Sequence, residues 1–313
     1  MRLLRSLLFV PGHRPRMIER ALGLGEFEPS ELDVAILDLE DGVPPAEKGT
    51  ARTVIAQALA RPATGTARYV RVNRSARERE ADLEAVVRSG LDGIVVPKVD
   101  GLPELESTIA SIQQSEASAG MKPGTNPVIA SIESARGLLA AAAIASSERV
   151  IALLFGAEDF ARDLGLPTER EGEAADLLYA RSGVVVAAAA AGRQALDGIW
   201  PDVADLDGLR RDSLTARRLG FSGKSLIHPA HIGAINEVFS PSASEVEHAR
   251  RVVAAFDEAG ARGAAAVALD GKLLDPPIVD RARQTLALGD AIAAKKRTPP
   301  VERPAALEGK RFQ

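Results

Sequence analysis

The sequence predicts a single (β/α)8 barrel with a C-terminal helical extension, and three observations predict it. Eight short runs rich in Val, Ile and Leu recur along the chain, longer amphipathic or Ala-rich stretches separate them, and almost every run ends in polar or charged residues. Alternation of this kind belongs to βα units around a parallel sheet, and eight is the number of strands that closes a barrel. With 313 residues, of which 46% are hydrophobic and 26% charged, one large α/β domain has enough apolar material for a full core.

The predicted strands are Ser6–Val10, Val34–Leu39, Tyr69–Val72, Gly93–Pro97, Val128–Ile132, Val150–Phe155, Ala195–Trp200 and Lys224–Ile227. The segments between them read as helices. Pro45, Pro103 and Pro229 fall near first turns, where a missing N–H removes no bond, and Gly90 and Gly220 are placed to end two helices. After strand eight the chain continues through two helical segments, 242–260 and 278–294, that a barrel does not need. The expected division is a barrel over 1–240, a helical arm over 241–296 that covers the barrel mouth or a neighbouring subunit, and a loose tail over 297–313.

Composition narrows the function. A net charge of -4 and only 4% aromatic residues leave little for a phosphate-tracking groove or a base-stacking platform, so no nucleic-acid partner is expected. Cysteine is absent, which removes disulfides, thiolate catalysis and cysteine-ligated zinc, and a cytoplasmic setting is expected. The apolar stretch Val184–Gly192 is far shorter than the roughly 20 residues that span a bilayer, and the basic-then-apolar opening stops at Pro11, so it reads as a first strand rather than a leader. No membrane partner is expected.

Barrel enzymes carry their reactive groups on the loops that leave the C-terminal strand ends. Here those ends bring Asp38, Glu40 and Asp41 after strand two, Arg71 and Asn73 on strand three, Lys98 after strand four, Glu133 after strand five, Glu158 and Asp159 after strand six, Asp202 after strand seven and His228 after strand eight. One carboxylate in such a place is usually a helix cap; seven polar ends converging on one mouth describe a site. Glu133 and Asp159, one strand apart, can put two oxygens on one hard cation and leave water and substrate to fill the octahedron that magnesium prefers. The alternative for that pair is a structural ion pair. Arg71 needs an anion to be buried on a strand. Either a substrate oxygen or an internal partner, Glu40 or Asp41, supplies it, and the two are compatible.

Lys98 offers a Schiff base to a carbonyl substrate; the metal pair makes that redundant and leaves Lys98 to pair with a carboxylate. The four histidines show no HExxH or facial-triad spacing, which argues against zinc or non-haem iron. Gly220–Ser225 imitates a P-loop, but Arg218 stands where the earlier glycine is required, and no GxGxxG follows a strand.

The ordered segments RSLLFVPGHRPR, AILDLEDGVPPAEKGTAR, YVRVN, GLDGIVVPKV, IASIESARGLL, LLFGAEDFARDLG, ALDGIWPDVADLDGL, LGFSGKSLIHPAHI and DGKLLDPP, from Arg5 to Asp275, resemble the citrate lyase beta-subunit family of CoA-ester lyases, within the phosphoenolpyruvate- and pyruvate-type barrels. The resemblance implies a magnesium-dependent lyase that cleaves or forms a 3-hydroxyacyl-CoA thioester, such as a malyl-CoA, citramalyl-CoA or citryl thioester, with acetyl-CoA or a homologue and a 2-oxo acid as the other side of the reaction. It makes Glu133 and Asp159 the Mg2+ ligands, with Glu133 and Arg71 facing the substrate. Glu40 and Asp41 then hold the metal's waters or orient Arg71.

The family's acid/base aspartate falls on Asp275, in a segment that in similar proteins reaches the active site of an adjacent subunit. A plain helix cap before Pro276 and Pro277 competes with that role. Arg14 is placed for a CoA phosphate, and His13 stands where relatives more often carry a small or amide residue. A homo-oligomer, trimer or hexamer, is expected. Three other readings stay open: a malyl-CoA-type thioesterase, a citryl-lyase subunit of a complex that presents substrate on an acyl carrier protein, and a metal-dependent aldolase for free hydroxy-oxo acids. Arg71→Ala is expected to fold, keep magnesium and lose turnover.

Overall fold

The computed structural model describes residues 2–26, 31–167, 175–261 and 267–297. Strands β1 (Ser6–Pro11), β2 (Val34–Asp38), β3 (Ala67–Arg71), β4 (Gly93–Val96), β5 (Val128–Ile132), β6 (Val150–Phe155), β7 (Gln194–Asp197) and β8 (Gly223–Leu226) pair in parallel and in chain order, and β8 closes onto β1. Helices follow each strand: α1 (Pro15–Leu22), α2 (Lys48–Leu59), α3 (Ala76–Val86), α4 (Leu102–Ser118), α5 (Ala135–Ser146), α6 (Ala157–Asp163) with α7 (Leu178–Ala190), α8 (Leu206–Leu219) and α9 (Ile232–Val238). The predicted (β/α)8 barrel is the observed one.

Two expectations at element ends change. β7 stops at Asp197 instead of running to Trp200, because Gly198 and Pro201 break it; Ile199 is left to line the mouth. Gly220 does end α8 in the left-handed conformation, but α3 ends at Val86 and Gly90 lies beyond it. A Cβ at Gly90 would lie 2.1 Å from the Leu59 carbonyl oxygen, so glycine there serves a close backbone approach.

The strand period of two decides what reaches the mouth. Leu7, Val34, Ile36, Tyr69, Val95, Ile129, Ala152, Leu154 and Leu196 point inward and fill the barrel, while their neighbours Leu8, Ala35, Leu37, Val70, Ile94, Ala130 and Leu153 face the helices. The same parity, carried to the C-terminal ends, turns Phe9, Asp38, Arg71, Ser131 and Glu133 onto the cavity above that plug. An apolar floor thus lies under a ring of charge.

Beyond the barrel, α10 (Ala243–Ala261) and α11 (Pro276–Arg297) pack on each other around Val252, Leu274, Val279 and Ala282, a cluster separate from the barrel core. Between them runs a hairpin absent from the sequence expectations, β9 (Val267–Leu269) and β10 (Lys272–Leu274). Its two-residue turn is Asp270-Gly271, both at positive φ, as a type I′ turn requires. The arm is fixed to the N-terminal end of the barrel, away from the mouth. Lys295 Nζ donates to Asp33 Oδ1 (2.8 Å) and to the Leu32 carbonyl (2.5 Å), and Arg5 grips the same carboxylate through Nε and Nη2, each at 2.8 Å. Residues 298–313 of the expected tail lie outside the described residues.

Burial works to raise the Asp33 carboxyl, but Arg5 and Lys295 outweigh it and hold it below its ordinary value of 3.8. A depressed carboxylate stabilises the fold above the unfolded-state value, and that contribution is lost as pH falls through the lower folded-state value. Asp33→Asn is expected to cost about 3 kcal/mol at pH 7, because two cations lose their shared counter-charge, and to flatten the loss of stability below about pH 4. Urea unfolding across that pH range measures both. Equal acid slopes in wild type and variant would show that the latch carries no such linkage.

Candidate active site

The mouth is built around Arg71. Its Cα is in register with that of Asp38 on the neighbouring strand, and the guanidinium meets that carboxylate as a fork: Nε donates to Oδ1 and Nη2 to Oδ2, both at 2.7 Å. Nη1 lies 3.1 Å from Glu40 Oε2, and the guanidinium carbon sits 4.6 Å from the centre of the Phe9 ring. So the internal partner of Arg71 is chiefly Asp38, with Glu40 second; Asp41 is taken by Lys98. Burial alone would lower the pKa of Arg71, yet Asp38, Glu40 and Glu133 hold it above its ordinary value. The side chain is a fixed cation at the cavity wall.

Lys98 gathers the other carboxylates. Its backbone adopts positive φ (51°), and its ammonium lies 2.8 Å from Glu40 Oε1, 2.6 Å from Asp41 Oδ2 and 3.7 Å from Asp159 Oδ2. Burial opposes its charge, but hydrogen bonds to Asp41 and Glu40 raise its pKa well above the ordinary lysine value. A lysine held so firmly protonated is a poor Schiff-base nucleophile. Lys48, which no sequence argument singled out, ties the same loop from below: its ammonium takes the carbonyls of Leu39 (2.5 Å) and Glu40 (2.6 Å) and Asn73 Oδ1 (2.8 Å).

Glu133 and Asp159 come together. Glu133 is buried, and burial, then the hydrogen bond with Asp159, then the charge of Glu40 hold its carboxyl well above the usual range. Gly156 makes room for it, since a Cβ there would lie 2.4 Å from Glu133 Cγ. Burial raises Glu40 in the same way, and its Oε2 lacks a hydrogen bond of good geometry. Three acidic groups crowd a space that compensates them incompletely. Among the described residues no set of three or more His, Cys, Asp or Glu is arranged to hold a metal ion. Two carboxylates are nevertheless a fitting donor set for magnesium, which keeps several waters and takes its remaining ligands from substrate. The raised Glu133 carboxyl is what a cation would relieve.

Asp38, Arg71, Glu133 and Asp159 line one cavity of 340 Å³, with Phe9, Leu154, Phe155, Ile199 and Ile227 as its apolar wall. Arg14, exposed after β1, is the N-terminal flanking residue of α1 and makes no ion pair among the described residues. Asp275 is not in this cavity. It caps α11, its Oδ1 accepting the Ile278 N–H at 3.0 Å, and it lies about 30 Å along the helix from Lys295, given 1.5 Å per residue. His228 caps the short turn that follows β8 through Nδ1 and the Ala230 N–H. Among the described residues no helix is long and apolar enough to cross a membrane.

Comparison with known proteins gives four consistent findings. A family model described as HpcH/HpaI aldolase/citrate lyase matches residues 5–229. The citrate lyase subunit beta of Escherichia coli (strain K12) is 40% identical over 286 residues, 90% of this chain and 92% of that one. A (3S)-malyl-CoA thioesterase of Cereibacter sphaeroides is 37% identical over 295 residues, 93% and 96% of the two chains. Among solved structures, the CitE protein of Mycobacterium tuberculosis in complex with magnesium, acetoacetate and coenzyme A superposes with a TM-score of 0.70 at 29% identity, covering 92% of this chain and 98% of that one.

Proposed function

The chain belongs to the HpcH/HpaI aldolase/citrate lyase family, and from that premise we propose that it is a magnesium-dependent CoA-ester lyase that cleaves or forms a 3-hydroxyacyl-CoA thioester. The observation that carries the reading is one cavity holding both the acidic pair Glu133 and Asp159 and the forked cation Arg71. The M. tuberculosis CitE structure contains magnesium with acetoacetate and coenzyme A, and two carboxylates at this mouth fit such an ion.

When bound, magnesium supplies a Lewis acid for the keto group of a 2-oxo acid. Glu133 and Asp159 would hold it, with Glu40 and Asp41, oriented by Lys98 and Lys48, as the neighbouring acidic groups. Arg71, held in place by Asp38, stabilises the thioester enolate oxygen, which forms on deprotonation of the acyl carbon in condensation and on carbon-carbon scission in cleavage. The apolar wall of Phe9, Leu154 and Ile227 excludes water from that enolate. Asp275 takes a proton from the acyl carbon in the condensation direction and returns it in cleavage. Because α11 is anchored at the far end of its own barrel, with Asp275 at its free end, we assign that role to Asp275 of a neighbouring copy. Arg14, exposed on the rim, is assigned to a CoA phosphate.

The deciding experiment incubates a panel of 2-oxo acids with acetyl-CoA or propionyl-CoA, with and without magnesium, and reads thioester product. Product that appears only with magnesium is the expected outcome. Magnesium-independent product, or action on free hydroxy-oxo acids alone, would reject the reading. A second reading rests on the C. sphaeroides relative: a thioesterase would release free CoA and a free hydroxy acid from malyl-CoA with no 2-oxo acid. Action solely on carrier-protein-bound thioesters would instead mark a subunit of a larger citrate-cleaving complex.

A further inference from the structure

Helices α5 and α7 lie side by side on the outside of the barrel, and their outer face lacks charge. Residues 137–147 and 182–192 contain no Asp, Glu, Lys or Arg, whereas a solvated surface is roughly a quarter to a third charged. Leu139, Tyr179 and Val186 stand 86%, 82% and 68% exposed on this face, with the exposed small residues Ala142, Ala143, Ser146, Ala189 and Ala190 between them. The remaining solvent helices differ; α8, for example, reads LDGLRRDSLTARRL.

We propose that this face is a two-fold contact with a second copy of this chain, independently of the function proposed above. Charge placement selects the occupant. Exposed Arg136 opens α5 and exposed Glu148 follows its C-terminus, and neither makes an ion pair among the described residues. In a two-fold contact the same patch meets itself, and of the two arrangements this allows, antiparallel α5 helices set each Arg136 against the other copy's Glu148. The axis then passes midway between those residues, at Ala142, where a small side chain lets the helices approach. Leu139 of one copy lies over Ala142 and Ser146 of the other, a large side chain over small ones. An uncharged face with exposed Leu139, Tyr179 and Val186 is a typical association surface, and because α5 begins just after Glu133, the contact braces the strand end that carries it.

The absence of cysteine makes a clean test. Ala142→Cys is expected to cross-link to itself under mild oxidation, while Ala60→Cys, exposed at the end of α2, is expected not to. In parallel, Leu139→Asp with Val186→Asp is expected to halve the subunit number measured by light scattering, with the helical circular dichroism and thermal transition showing a folded protein. The proposal stands only if the cross-link forms and the subunit number falls in the folded variant. A monomeric wild type, an unchanged subunit number in the folded variant, or no cross-link through Ala142→Cys each overturns it, and a monomer with the patch intact would assign the face to a different partner.

Discussion

Glu133→Gln is expected to abolish magnesium binding and to lower turnover by about 10³-fold or more, while leaving the metal-free protein as stable as the wild type or more so. The opposite signs follow from where Glu133 sits. Its carboxyl is buried, shares a hydrogen bond with Asp159 and faces the charge of Glu40, so in the metal-free protein the protonated form is favoured. An amide of the same shape donates to Asp159 as the protonated acid does, and removes the need to bury a charge. For a hard divalent cation, however, it exchanges a charged oxygen for a neutral one and leaves Asp159 as the sole carboxylate of the pair. Calorimetric titration with magnesium and urea unfolding in a chelator separate the two effects. If Glu133 and Asp159 were only a structural pair, the variant would lose stability and bind magnesium as before; that result would remove the electrophile from the proposed reaction.

How much of this was legible beforehand differs by the range of the interaction. The strands could be read because the apolar runs are local, and their parity followed from the period of two, which is why Arg71 and Glu133 could be expected on the same inner surface. Asp38 could not be ranked above Glu40 and Asp41 as the partner of Arg71. That choice depends on the register of β2 against β3, which no local pattern fixes. Lys98 was read as paired with a carboxylate, but its three partners come from two different loops, and the grip of Lys48 on the Leu39 and Glu40 carbonyls depends on how α2 turns back over the barrel end. The Asp270-Gly271 hairpin is a different case: an Asp-Gly dipeptide between Val267–Leu269 and Lys272–Leu274 is itself a local turn signal. The docking end of the arm was beyond reach, since Lys295 finds Asp33 across 262 positions of chain, and a single lysine near a C-terminus carries no address.

Arg71→Lys is expected to lower kcat by about 10² to 10³-fold, as the loss of one oriented enolate-stabilising donor does, with magnesium affinity and thermal stability close to wild type. Lysine keeps the positive charge that Asp38 and Glu40 require, but a single ammonium cannot span both Asp38 oxygens and still present a donor to the cavity, as the planar fork does. The alanine variant is the poorer probe, and the expectation that it folds normally does not survive the geometry. Asp38 is 2% exposed and Glu40 5%, so deleting the guanidinium leaves buried Asp38 without its cation and Glu40 with Lys98 alone, a loss of about 3–5 kcal/mol that would confound any activity measurement. The conservative variant separates charge from geometry. If steady-state turnover of Arg71→Lys matches the wild type while the fold is intact, the fork merely braces Asp38, and the group that stabilises the thioester enolate must be sought elsewhere around the mouth.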